Sequence, residues 1–368
     1  MSSSKVAVSL FSGAGGMDIG VIGAGYRVLA CLEVDPYACE TLRANIRRHH
    51  RKTLVIEEDI RQIDPADLLT RLGVNSGQID LLFGGPPCQS FSQIGKQSGL
   101  DDERGLLLFQ MVRFAERLEP KALMIENVKG LLSARDRSGR RGGVFSLFVK
   151  KLQDLGYDVK WSVINSADYG VAQLRKRVFI VCTRQGVKFR FPEPTHRPLD
   201  GSVDMSATKH YVTVGEALAG LRGPLPKGSQ IPADSHYDVT PDGDRRRIHG
   251  VPEGGHLSGA TGVPDSQKGR LLRKDTTKFL RLGRQAQSNT LRCGEIFFHP
   301  TEESYLTPRE YMRLHGYPDG YMLRGPIRSR SGSVRFLDQH RQVANSVPPP
   351  VALAVAYAIR RSCRAKNL

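Results

Sequence analysis

Cys88 sits in the run Gly84-Gly-Pro-Pro-Cys-Gln-Ser-Phe-Ser92. Cysteine is usually a small buried hydrophobe, but flanking Pro, Gln and Ser make a poor core position. A free thiol has a pKa near ~8.5, so only a small fraction is thiolate at neutral pH unless its site favours the anion. The stretch that follows, IGKQSGLDDERG, has no apolar periodicity and reads as a mobile loop able to close over a substrate. Further on, Glu126-Asn-Val128 ends an apolar run with a carboxyl, and Gln173-Leu-Arg-Lys-Arg177 places arginines ahead of another, VFIVC. A second constellation lies nearer the N-terminus. Phe11-Ser-Gly-Ala-Gly-Gly-Met-Asp-Ile-Gly20 follows an apolar run, and such a glycine turn lets a cofactor approach the backbone. It lacks the dinucleotide fingerprint, because Asp18 stands where a third glycine would. Glu33 with Asp35, and then Asp59, follow the next two apolar runs. Singly, each is more often a solvated loop acid. At successive strand ends they point to a nucleoside cofactor, whose ribose hydroxyls a carboxylate can hold.

Those residues need a scaffold that brings strand ends together. Val6–Leu10, Val28–Leu32, Leu54–Glu57, Ile79–Phe83, Ala122–Ile125 and Val178–Cys182 read as buried strands. Pro36–Arg47, Gly105–Leu118 and Val144–Leu155 have helical spacing between them. The alternation predicts an α/β fold with a mostly parallel sheet covered on both faces, its ligands at the carboxyl ends of the strands. From 185 to 285 the rhythm stops, and Pro, Gly, Asp, Arg and Ser dominate. Long stretches of that kind are binding surfaces or disordered. Two helices are expected after it, Thr307–His315 and Pro350–Arg361, the latter packing through Val351, Leu353, Ala354 and Ala358.

Composition narrows the partners. The 368 residues carry 54 Lys+Arg against 37 Asp+Glu, a formal charge of +17, which favours a polyanion over a charge serving solubility alone. The six cysteines show no CxxC pair and no Cys/His spacing for zinc, so a reduced intracellular protein without a metal site is expected. The most apolar run, Val351–Ile359, is far short of the ~20 residues that span a bilayer. No membrane partner is expected, and the expected location is cytoplasmic, on the nucleoid.

In order along the chain, FSGAGG, GGPPCQSFS, ENV, QLRKR, LTPREYMRLHGYP and QVANSVPP resemble the blocks of the DNA cytosine-5 methyltransferases of bacterial restriction–modification systems. The resemblance implies a Rossmann-like S-adenosylmethionine-dependent methyltransferase domain, residues 1–184 with 336–368, and a smaller irregular target-recognition domain, 185–335. It implies that Cys88 attacks C6 of a flipped cytosine, that Glu126 hydrogen-bonds N3, and that Arg175 contacts the base with Arg177 in support. A buried structural carboxylate and simple phosphate contacts are the plainer readings of the acid and the arginines. Phe11, Gly13, Ala14, Gly15, Gly16 and Met17 would line the S-adenosylmethionine site, with Glu33 and Val34 at the ribose and Asp59 and Ile60 at the adenine. Pro87, Leu107, Asn345 and Ser346 are further cofactor candidates. Double-stranded DNA is the implied partner, through Gln89, Ser92 and Gln173 and through Arg245, Arg246 and Arg247. Those three arginines could read guanine edges, but backbone phosphates are the commoner use of such a cluster. A cognate restriction endonuclease acting on the same site is a further implied partner.

Three rival readings differ at identifiable residues. The transfer-RNA branch of the family has a reduced recognition region, whereas about 100 irregular residues are present here. A silent DNA-binding relative would be expected to lack a member of the site, yet Cys88, Glu126, Arg175 and Arg177 are all present. Amino-directed methyltransferases use an Asp/Asn/Ser-Pro-Pro-aromatic block, which does not occur here.

Overall fold

The computed structural model describes residues 5–49, 52–87, 107–136, 138–198, 209–259, 279–328 and 336–364. Two compact units divide the chain. Met1–Asn165, Lys176–Glu193 and Pro349–Leu368 form the first, and Ser166–Arg175 with Pro194–Pro348 form the second. The bounds differ from those expected: 185–193 goes with the first unit, and 166–175 and 336–348 go with the second.

The first unit is built on strands β1 (Lys5–Leu10), β2 (Tyr26–Glu33), β3 (Leu54–Glu57), β4 (Leu81–Gly84), β5 (Ala122–Val128), β6 (Tyr157–Asn165) and, after the short β7 (Gln173–Leu174) of the second unit, β8 (Lys176–Arg184). Their order across the seven-stranded sheet is β3-β2-β1-β4-β5-β8-β6. β8 runs antiparallel to both its neighbours, and the remaining pairs are parallel. The order therefore reverses between β1 and β4, the switch point outside whose strand ends such sheets hold ligands. Helices α1 (Gly16–Gly23), α2 (Pro36–His49), α3 (Pro65–Leu72), α4 (Leu107–Leu118), α5 (Gly143–Asp154) and a C-terminal helix (Pro349–Arg364) accompany the sheet. Leu10, Leu82, Ile125 and Ile180 from the strands and Phe114 and Phe148 from the helices share one core cluster.

Among the elements that escaped the sequence reading are α3 and β6. α3 is short, but it carries the usual punctuation: Asp64 caps it by accepting from Ala66 N at 2.8 Å, Pro65 is its first residue, and Gly73 closes it at φ 65°. β6 pairs only with β8 at the sheet edge, so it needs no continuous apolar run, and Trp161 stays 48% exposed. The C-terminal helix also turns a different face inward. Val351, Ala352, Val355, Ala356, Ile359 and Cys363 are buried, while Leu353 is exposed and Ala354 and Ala358 are only half-buried. α1 accepts this helix closely because residue 20 is glycine: a Cβ there would stand 2.5 Å from Leu353 N and 2.6 Å from Pro349 O.

The second unit has little regular structure. Its pieces include two-residue pairs (β7 with Ser288–Asn289; His196–Arg197 with Lys209–His210) and helices Val214–Leu218, Asp242–His249, Pro308–His315 and Gln339–Asn345. Pro308–His315 starts one residue later than expected, because Thr307 serves as its cap in a reciprocal capping box with Glu310. No helix among the described residues is long and apolar enough to cross a membrane.

Candidate active site

β1 runs directly into the glycine turn. Phe11 adopts φ 55°, a conformation costly for a bulky side chain and found where surroundings enforce it. Gly13 and Gly15 follow with φ 53° and 78°. A Cβ on Gly13 would meet nothing within 4 Å, so open space lies over the turn. From the neighbouring strand end, Glu33 reaches back to this turn. Gly13 N donates to its Oε2 at 2.7 Å, and Val34 N and Asp35 N both donate to its Oε1 at 2.9 Å. Burial pushes the Glu33 pKa up from the ordinary carboxylate value, and the three amides oppose that shift. Asp35 has a local role: its Oδ1 accepts from Ala38 N at 2.9 Å at the start of α2. Val34 is 62% exposed.

Beneath the turn lies a buried polar group that the sequence did not single out as a unit. Ser12 Oγ is 2.8 Å from Ser9 Oγ, and Cys31 Sγ donates to Asp18 Oδ1 at 3.3 Å. Burial raises the Asp18 pKa to about 6, against hydrogen bonds from Ser9 and Cys31 that lower it.

At β3, Arg61 grips the Asp59 carboxylate, with Nε 3.0 Å from each oxygen, and holds its pKa below the usual range. Ile60 is buried, and its carbonyl accepts from Arg113 Nη2 at 2.6 Å. Both expected adenine contacts are thus at a strand end, with the acid already engaged. A surface cleft of about 650 Å³ beside them is lined by Arg61, Ile63, Pro65, Arg113 and Arg117 among others, and by no expected site residue. The chemistry-bearing side chains lie outside that cleft, at the strand ends.

β4 delivers Gly84–Pro87. A Cβ on Gly84 would lie 2.4 Å from Leu10 O, so only glycine allows β1 and β4 this approach. Cys88, Gln89 and Ser92 lie outside the described residues. Asn127 nonetheless fixes the backbone just ahead of the cysteine, its Nδ2 donating to Pro86 O at 3.0 Å. Glu126, in the same strand end, is 8% exposed, and its Oε1 is 3.2 Å from Arg177 Nε. Register explains that meeting: β5 and β8 are antiparallel, with Val128 opposite Arg177, so the end of one strand faces the start of the other. Pro87 is exposed, and Leu107, at the start of α4, is half-buried against the core.

Ala14 and Met17 are buried around the start of α1, and the second unit contains Gln173, Arg175, Arg245 to Arg247, Asn345 and Ser346. Arg175 is 3% exposed, with Nη2 donating to Ser346 O at 3.2 Å, while Ser346 Oγ donates to Val343 O at 2.7 Å. Asn345 is exposed, its Oδ1 2.7 Å from Cys293 Sγ. The expectation that Gln173 contacts DNA needs correction. Its side chain is wholly buried, accepting from Leu291 N at 3.1 Å and lying 2.9 Å from His315 Nδ1, so it braces this unit internally. The arginine cluster also divides. Arg245 pairs with the buried Asp238 and donates to Glu303 O, whereas Arg246 and Arg247 are exposed on helix Asp242–His249.

The family model for C-5 cytosine-specific DNA methylase matches residues 6–361. The chain belongs to that family. Type II methyltransferases match it, one of them over nearly its whole length. The Type II methyltransferase M.NgoFVII of Neisseria gonorrhoeae is 32% identical over 358 residues, 96% of this chain and 85% of that one. M.AquIA of a Picosynechococcus species is 42% identical over 225 residues, 59% of this chain and 89% of the relative. Among solved structures, an E. coli prophage protein described as a DNA modification methyltransferase superposes with TM-score 0.68 at 21% identity, covering 98% of this chain and 100% of its own. The Dnmt2 methyltransferase of S. pombe follows with TM-score 0.61 at 17% identity, covering 99% and 100%. At such identities these two likenesses concern the fold. The methylase fold is the mostly parallel, helix-flanked sheet described above, and the enzyme is a DNA cytosine-5 methyltransferase. Family and fold together imply S-adenosylmethionine as methyl donor.

Proposed function

We propose that this methyltransferase flips a cytosine out of a specific duplex sequence and methylates carbon 5 through a covalent adduct on Cys88. The observation that carries the reading is the end of β5. There a buried Glu126 lies 3.2 Å from Arg177, and Asn127 holds the Pro86 carbonyl two residues ahead of Cys88. One strand end thus positions an acid for the base and the backbone that leads to a thiol. A base inside a duplex cannot meet both a thiolate and a methyl donor, so flipping comes first, at a cost of a few kcal/mol.

The Cys88 thiolate adds to C6, and electron density moves into the ring. A protonated Glu126 carboxyl donating to N3 stabilises that charge, with Arg177 orienting the acid and Arg175 contacting the base. C5 then takes the methyl group, its proton leaves to a base, and the thiolate is expelled as the C5–C6 double bond re-forms. S-adenosylmethionine, when bound, supplies the electrophilic methyl on its sulfonium. The open glycine turn and the amide-held Glu33 fit such a nucleoside cofactor. Phe11, Gly13 to Met17, Glu33 and Val34 would hold its methionine and ribose parts, and Asp59, Ile60, Pro87 and Leu107 would complete the site. Residues 185–335 would choose the target, with Arg246 and Arg247 facing DNA, and a restriction endonuclease of matching specificity would be the partner, as the relatives' Type II names imply.

DNA carrying 5-fluorocytosine at the target should trap a stable adduct, because fluorine cannot leave as the proton does. Mass spectrometry is expected to place it on Cys88, and an adduct on any other residue overturns the assignment. Glu33→Ala is expected to weaken S-adenosylmethionine binding by roughly 1–3 kcal/mol, read by isothermal titration.

A further inference from the structure

The residues between β5 and α5 take no part in the chemistry above, yet they form an organised basic hairpin. Residues 129–142, KGLLSARDRSGRRG, carry Lys129, Arg135, Arg137, Arg140 and Arg141 against a single acid, Asp136. The acid is spent on the loop itself. Its Oδ1 accepts from Ser138 Oγ at 2.6 Å and from Arg140 N at 3.0 Å, and its Oδ2 lies 3.2 Å from Arg140 Nε. Asp136 N in turn donates to Arg140 O at 3.2 Å, and Arg135 Nη1 donates to Gly139 O at 2.6 Å. Gly139 turns the chain at φ 81°, and Gly143 leaves room for Asp136, whose carboxylate a Cβ would meet at 1.9 Å. The turn is therefore built around its one negative charge, with Lys129, Arg135, Arg140 and Arg141 exposed.

Its place in the fold matters as much as its charge. The hairpin begins three residues after Glu126, and its first turn, Lys129–Ser133, lies against β8. β8 opens there with the exposed Lys176 and with Arg177 on Glu126. The cations thus gather at the carboxyl edge of β5, where the base would be handled. The side chains of Lys129, Arg141 and Lys176 make no hydrogen bond or ion pair with other described residues.

We infer that the hairpin 129–142 is a phosphate-contacting element that grips the duplex backbone beside the flipped cytosine, independently of the target sequence. This rests on the reading of the β5 edge as the site of base chemistry. Exposed cations on a pre-formed turn suit phosphates, which need charge and position but no base readout. The organising acid lowers the conformational entropy lost on binding.

Lys129→Gln combined with Arg141→Gln tests this without touching the hairpin's internal bonds. Duplex DNA binding by the full chain is titrated across salt, with and without the target sequence, beside single-stranded RNA of equal length. The log–log salt slope should flatten by about 0.9 per lost contact, so raising salt from about 50 to 200 mM narrows the gap to the parent by roughly 3.5-fold per contact. The loss should be equal for target and non-target duplexes, with S-adenosylmethionine affinity and kcat at saturating DNA unchanged, and Arg141→Glu should weaken binding further. An unchanged slope, a loss confined to target DNA or a loss confined to RNA overturns the inference. A parent enzyme that fails to bind duplex DNA would instead overturn the reading of the edge itself.

Discussion

At the carboxyl edge of the sheet, loops are held chiefly by main-chain donors and short caps, whereas in the second unit they are held by long buried side chains. Three backbone amides fix Glu33, and one side-chain amide, Asn127, pins the loop ahead of Cys88. In the second unit Arg309 donates to Asp234 O at 2.8 Å and to Tyr321 O at 2.9 Å. His340 lies 2.9 Å from Ile327 O and 2.8 Å from Leu306 O, and Gln342 Nε2 donates to Arg324 O at 2.8 Å. Buried backbone groups must find partners. A sheet supplies them by itself, but a region of loops must recruit side chains, each spanning two or more segments. Mutation at the sheet edge should therefore cost activity, and mutation in the second unit should cost stability.

Glu126→Gln is the strongest test of the first half. It should lower kcat by about 10²–10⁴, the usual contribution of a placed acid. Stability should change little, since Arg177 keeps its bond to Lys176 O. A large loss of folding stability with kcat intact would erase the contrast.

Arg309→Met tests the second half. It leaves two loop carbonyls without their donor and should destabilise the protein by about 2–4 kcal/mol in urea unfolding. Methylation per folded molecule should remain within a few-fold of the parent. If kcat collapses while stability holds, the network belongs to the chemistry and not to the scaffold.

The smallest effect compares one buried acid from each region. Burial raises Asp18 to about 6 and Glu310 to about 7 from ordinary carboxylate values. Each folded carboxyl holds its proton more tightly than the unfolded one does. Each thus contributes stability that is complete below about pH 4 and lost as pH rises through its folded pKa, by a few kcal/mol at most. His299, lowered by burial to about 4, works against this by adding stability as pH rises from about 4 to 6.5. Differences between parent and variant isolate the acids. Asp18→Asn should flatten the loss between about pH 4 and 6, and Glu310→Gln the loss between about 4.5 and 7, read by urea unfolding across pH. A variant whose pH dependence matches the parent's would remove that acid from the account.

The sequence was most legible where local signals agree. The apolar runs Ile79–Phe83 and Ala122–Ile125 became central strands buried along their length, as short continuous apolar runs do inside a parallel sheet. The helix expected over Thr307–His315 was legible for a similar reason, since its capping partners Thr307 and Glu310 stand only three residues apart. β6 was hidden because an edge strand with an exposed face carries a weak hydrophobic pattern, and α3 because eight residues give too short a period, although its Asp-Pro start and Gly end were signals enough.

The site divides in the same way. Its residue types and their order were fixed by the chain: a glycine turn, successive strand-end acids, a Pro-Pro-Cys loop, Glu126 and paired arginines. What those groups touch was settled only by folding. Glu33 meets the Gly13 amide across 20 residues, Asn127 meets Pro86 O across 41, and Arg177 meets Glu126 because an antiparallel register aligns their strand ends. The same long-range packing took Gln173 into the interior and tied Arg245 to Asp238, leaving Arg246 and Arg247 outside. A side chain's chemistry is local and can be read from its letter. Its partners are set by strand order and burial, which no neighbouring residue encodes.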